Sequence, residues 1–215
     1  MHSPSILTSE IEVNNRLSDF GFIKQDLIDV AIAAVSARFE SVEMLDPAGT
    51  KGTFSYIYGT RALRRMLLSK QTDWELNSEG QIAGAASKNH GVKFVFQNTD
   101  SACCIDKTPK AISGKGPAAS KQVTEGHTMD MFPDSFGDLP STQSGSQILW
   151  FLCVALHNDE PVMELYCPQA IENKQFYGVV ERIFILHPGE LEPLREKGEP
   201  DEMADFDVEV TKKAK

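Results

Sequence analysis

The sequence predicts an α+β fold, a mainly antiparallel sheet of about five to six strands with two N-terminal helices packed on it. Three observations predict it. Helical periodicity is confined to the chain before Lys70. Apolar runs of strand length dominate the chain after Trp74. The strands also follow the helices instead of alternating with them, which argues against a doubly wound α/β sheet.

Up to Gly21, Ile6, Leu7, Ile11, Val13 and Leu17 are separated by Ser and Asn, so any helix there is short. From Phe22 to Val42, Ile23, Leu27, Val30, Ala31, Ala34 and Val35 recur at helical spacing, with Asp26 placed to suit the dipole of the first turn. Asp46-Pro47-Ala48-Gly49 is a turn sequence. The alternation in Thr53–Tyr58 predicts a short strand or the lead into a helix, punctuated by Gly59. Thr60 then caps a helix whose apolar face is Leu63, Met66 and Leu67 and whose basic face is Arg61, Arg64 and Arg65.

Trp74-Glu75-Leu76 reads as a short strand, and Ile82 to Gln97 as a hairpin turning at Asn89-His90-Gly91. From Asn98 to Ser146 periodicity disappears. Ile148 to Leu156 is apolar on both faces, the signature of a central strand covered on both sides. A turn at His157–Pro161 leads to a return strand over Val162–Cys167, and a further strand lies within Phe176–Leu186. The chain thus divides into a single domain over 1–186, with an irregular insertion at 98–146, and an acidic, flexible tail over 187–215.

Composition narrows the class. The chain has 215 residues, 41% hydrophobic and 24% charged, with a net charge of -10 from 21 Lys+Arg against 31 Asp+Glu. Its longest apolar run, Ile148–Leu156, is well short of the roughly 18 residues a membrane helix needs. The N-terminus lacks the basic start and apolar core of a secretory signal. The four cysteines form neither a disulfide framework nor a C-x-x-C pair. Together these predict a soluble cytoplasmic protein whose buried cysteines act as small hydrophobes.

The charge is unevenly distributed. The stretch 51–70 carries Lys51, Arg61, Arg64, Arg65 and Lys70 and no acid; the stretch 107–121 carries Lys107, Lys110, Lys115 and Lys121 and no acid. Segregated basic blocks in an acidic chain point to an anionic ligand, a phosphate or single-stranded nucleic acid, held by Arg61, Arg64, Arg65, Lys107, Lys110 and Lys115. Ser113-Gly114-Lys115-Gly116 resembles a phosphate cradle but lacks the P-loop spacing, so P-loop nucleotide hydrolysis is excluded. Residues 129–139, with Phe132 and Phe136 among acids, are a candidate segment for a protein partner.

The preferred expectation is a binding or interaction module. The alternative is a metal-dependent phosphodiesterase or nuclease using Asp100, Glu164 and Glu181, with Lys93 nearby. Otherwise Glu164 and Glu181 occupy solvent faces of edge strands, with Arg182 pairing locally. A thiolate pair of Cys103 or Cys104 with His127 is a further candidate, and no nucleophile-elbow motif supports serine chemistry.

Overall fold

A computed structural model of the chain describes residues 4–70, 73–128 and 147–191. Its elements follow in chain order. The first part holds β1 (Ser5–Leu7), α1 (Glu10–Asp19), α2 (Lys24–Phe39) and α3 (Thr50–Lys70). Next come β2 (Trp74–Asn77), β3 (Gly84–Ser87), β4 (Val92–Asn98) and α4 (Pro117–Thr128). The last part holds β5 (Ile148–His157), β6 (Glu160–Cys167), β7 (Ala170–Glu172), β8 (Gln175–Tyr177) and β9 (Glu181–Leu186). The partner segment 129–139 and the tail beyond Leu191 lie outside the described residues.

Seven strands form one sheet in the order β1-β9-β6-β5-β4-β3-β2, while β7 and β8 pair separately. The apolar run of β5 is the middle strand, as its two-sided hydrophobicity requires. Two hairpins follow the sequence reading: β3 with β4, and β5 with β6. Asn158 and Asp159 both adopt positive φ in the two-residue turn between β5 and β6, the conformation that matches strand twist there. Asn173 and Lys174 do the same between β7 and β8, a hairpin the sequence reading did not separate from β9.

The sheet is mixed, not mainly antiparallel. β4 runs parallel to β5, and β1 runs parallel to β9. The first parallel pair follows from the long connection after Asn98, which carries α4 and crosses over one face of the sheet before the chain returns. The helices are therefore not all N-terminal, and the insertion is not wholly irregular.

Of the two readings of Thr53–Tyr58, a short strand or the lead into a helix, the structure has the second: the segment belongs to α3, one continuous helix from Thr50. Two features impose helix there. Ser55, Gly59, Leu63 and Leu67, spaced by four, form its buried stripe. Ser55 Oγ donates to Asn98 Oδ1 at 2.8 Å and Asn98 Nδ2 donates to the carbonyl of Gly52 at 3.0 Å, tying the first turns to the end of β4. Gly59 is required by contact. A Cβ there would stand 2.5 Å from the Phe96 ring.

The sheet is covered on both faces. On the first, α1, α2 and α3 pack over Phe94, Phe96, Trp150, Leu152, Leu165, Ile183 and Ile185. Phe20, Phe22, Phe94, Trp74 and Trp150 form an aromatic cluster beneath α1 and α2. On the second face, α4 and the β7–β8 hairpin cover Val95, Leu149, Phe151, Cys153 and Tyr166 through Ala119, Val123, Ile171 and Phe176. Among the described residues, no helix is long and apolar enough to cross a membrane.

Candidate functional site

The outer side of α3 carries a groove of about 760 Å³ that continues onto β2, the edge strand of the sheet. Tyr56, Ile57 and Leu68 of α3 and Leu76 of β2 supply apolar surface; Ile57 is 42% exposed, Leu68 43% and Leu76 61%. Arg61, Arg64 and Arg65 line it, and no acid does. Thr60 Oγ1, also in its wall, is buried without a hydrogen-bond partner.

The three arginines have different roles. Arg64 donates from Nε to the Gly84 carbonyl at 3.0 Å and from Nη2 to the Asn77 carbonyl at 3.2 Å and Ser78 Oγ at 2.6 Å. It therefore ties α3 to the ends of β2 and β3. Arg61 stacks over the Tyr58 ring at 4.8 Å. Among the described residues, neither Arg61 nor Arg65 has a carboxylate partner. Because α3 begins at Thr50, these arginines lie mid-helix, and helix N-terminal amides do not join them in a phosphate site.

The structure does not bring the two basic blocks together. α3 packs on the first face of the sheet, while the segment carrying Lys107, Lys110 and Lys115 covers the second. Lys107 forms an ion pair with Asp100 at 3.0 Å, and its carbonyl accepts from Arg182 Nη2. Lys110 is exposed, and its amide donates to Asp100 Oδ1 at 2.8 Å. Lys115 points inward. Its ammonium donates to Gln97 Oε1 and sits 4.8 Å over the Phe151 ring, and burial pulls its pKa down to about 8.

The carboxylates of the alternative reading also separate. Glu181 faces α1, where Arg16 grips it through Nε at 2.8 Å and Nη2 at 2.9 Å. Asp100 is held by Lys107 and the Lys110 amide. Glu164 lies inside the protein, not on a solvent face as expected. Arg182 from the neighbouring β9 meets it with two hydrogen bonds of 2.9 and 2.8 Å, and the two side chains are 0% and 2% exposed. Burial raises the pKa of Glu164 against the pull of Arg182. Among the described residues, no three His, Cys, Asp or Glu side chains form a group that could hold a metal ion.

Of the thiol candidates, Cys104 is exposed and Cys103 is committed to the fold. The Cys103 amide donates to Glu164, and its thiol donates to the carbonyl of Met163 at 3.0 Å. Burial and the charge of Glu164 push that thiol up to about 12, away from thiolate character. His127 contacts the Pro168 carbonyl instead. Cys153 and Cys167 are buried free thiols within β5 and β6.

Sequence reasoning expected Arg182 to pair locally but missed that its pair with Glu164 is buried, and it missed the apolar half of the α3 groove. The second was readable in part: Tyr56, Ile57, Arg61, Arg64, Arg65 and Leu68 fall on neighbouring turns once the helix is allowed to begin before Thr60. Comparison of the chain with protein-family models, with curated proteins and with solved structures finds no match.

Proposed function

We propose that this protein is an interaction module that holds an acidic, amphipathic segment of a protein partner in the groove on α3. One observation carries the reading: exposed Ile57, Leu68 and Leu76 are bordered by Arg61 and Arg65, with no acid among the lining residues. In a chain of net charge -10, this groove is a local site of opposite sign. Each apolar side chain covered by a partner contributes about 1.5–3 kcal/mol before ordering costs. The guanidinium groups add charge-assisted hydrogen bonds to carboxylates.

A single-stranded nucleic acid fits less well. Base stacking needs aromatic platforms, and Tyr56 is the aromatic ring in the groove lining, the other apolar residues being aliphatic. Lys107 and Lys115, which would have extended a phosphate track, are engaged on the other face.

The test is fluorescence anisotropy with two labelled probes of equal charge: a peptide alternating Glu and Leu, and an oligothymidylate. The peptide is expected to bind, and Leu68→Asp to weaken it by about tenfold or more. Arg61→Ala with Arg65→Ala is expected to weaken it and to flatten its dependence on salt. A parent protein that binds the oligothymidylate but not the peptide contradicts the reading. So does peptide binding that none of these substitutions changes.

A further inference from the structure

On the second face, between α4 and the β2–β3–β4 edge of the sheet, a separate cleft of about 420 Å³ has a lysine in its wall. This is Lys93 of β4, whose side chain projects from the same face as Val95 and Gln97. Lys93 is 3% exposed. Its ammonium donates to Gln122 Oε1 of α4 at 3.2 Å, and among the described residues it has no ion-pair partner. An ammonium has three protons to donate, and one hydrogen bond leaves the rest of a buried charge uncompensated. Burial accordingly pulls its pKa down to about 8, opposed by the field of Glu79.

The rest of the cleft has the opposite charge. Glu75, Glu79 and Glu125 line it, with Gln147 and the rim residue Lys88. Glu75 is 3.9 Å from Lys88, and Glu125 is 3.6 Å from Lys121 on its own helix, both exposed pairs. The cleft thus offers a buried cation and more exposed carboxylates. Its volume lies within the range of small-ligand sites.

We propose that this cleft binds a free basic amino acid, with its carboxylate on Lys93 and its cationic groups toward Glu75, Glu79 and Glu125. The carboxylate supplies the counter-charge that Lys93 lacks, and the side-chain ammonium meets the acids near solvent. The α3 groove lies across the sheet, and Leu76 of the edge strand β2 borders both.

The experiment is isothermal titration calorimetry with L-lysine, L-norleucine and cadaverine. L-lysine carries both charges, norleucine lacks the side-chain ammonium, and cadaverine lacks the carboxylate. L-lysine is expected to bind, norleucine about fivefold more weakly because exposed pairs are worth about 0.2–1 kcal/mol each, and cadaverine not measurably. Since a carboxylate beside Lys93 raises its pKa, binding of 6-aminohexanoate, which carries both end charges but no α-amine that titrates in this range, should take up a proton at pH 8.5, read as a heat that varies with the ionisation enthalpy of the buffer. That uptake should vanish near pH 6, where Lys93 is already charged. Lys93→Met should abolish both binding and proton uptake, with its circular dichroism matching the parent. The proton linkage in the unmodified protein decides the matter if that variant does not fold. The proposal fails if L-lysine does not bind at about 10 mM. It fails equally if cadaverine binds as tightly, or if binding of 6-aminohexanoate at pH 8.5 takes up no proton.

Discussion

Removing one charge from the buried pair has a different consequence for each partner. Glu164→Gln keeps the shape and one acceptor, but leaves the Arg182 guanidinium buried without a counter-charge. Arginine cannot shed its proton, so the cost is about 3–5 kcal/mol wherever Glu164 of the parent is ionised. Arg182→Met leaves a carboxyl instead, one whose pKa burial already raises. Without the arginine it keeps its proton in the fold. At low pH the variant loses only hydrogen bonds, about 1–3 kcal/mol. Above about pH 4.3 the unfolded carboxyl ionises while the folded one does not. The variant's stability then falls by about 1.4 kcal/mol per pH unit; relative to the parent, whose Glu164 is raised less because Arg182 is present, the penalty grows from the pH at which the parent's folded carboxyl ionises until the variant's does too. Removing both, as Glu164→Leu with Arg182→Met, should lie within about 2 kcal/mol of the parent. The assay is urea unfolding followed by fluorescence of Trp74 and Trp150, both buried in the first-face core. The reasoning is refuted if Glu164→Gln unfolds within about 1 kcal/mol of the parent, or if the penalty of Arg182→Met is flat with pH.

Three further outcomes are expected. Gly59→Ala should lower the urea midpoint by about 1–2 kcal/mol equivalent, despite the better helix propensity of alanine, because its Cβ meets the Phe96 ring at 2.5 Å; Gly52→Ala, in open space on the same helix, should not. Lys115, whose folded pKa is lowered to about 8, gains stability for the parent as pH rises from about 8 toward 10.4; the stability of Lys115→Met relative to the parent should therefore decline across that window by up to about 3 kcal/mol. In the native protein a thiol reagent at pH 8 should label exposed Cys104 first, with the buried Cys153 and Cys167 reacting only on unfolding, as mass spectrometry of the labelled peptides would show.

Local patterns carried much of the fold. The apolar run of β5 identified the central strand because both its faces are covered, and α2 followed from its period. What local patterns could not show was set by distant partners. Phe54, Tyr56 and Tyr58 alternate like a strand, yet Asn98 and the contact of Gly59 with Phe96 hold the segment as helix. β1 is three residues long and gains its place only by pairing with β9 near the other end of the domain. The direction of β4 against β5 depended on a crossover whose helix, α4, begins in a Gly- and Pro-rich stretch that reads as loop. The candidate site followed the same division. The basic face of α3 was visible as spacing, but Leu76 joins it from another element. The charges of Glu164 and Arg182 resembled those of solvent-facing strands, since nothing within either strand announces that the other buries it.

The α3 groove itself is tested most directly by locating the bound peptide. Methyl-labelled protein would be titrated with the acidic Glu-Leu peptide and followed by two-dimensional nuclear magnetic resonance. Ile57 and Leu68, in the groove, are expected to shift and saturate together, while Val123 of α4 and Ile171 of β7, on the opposite face, stay in place. Shifts confined to Val123 and Ile171, or a titration that moves none of these methyls, would contradict the account.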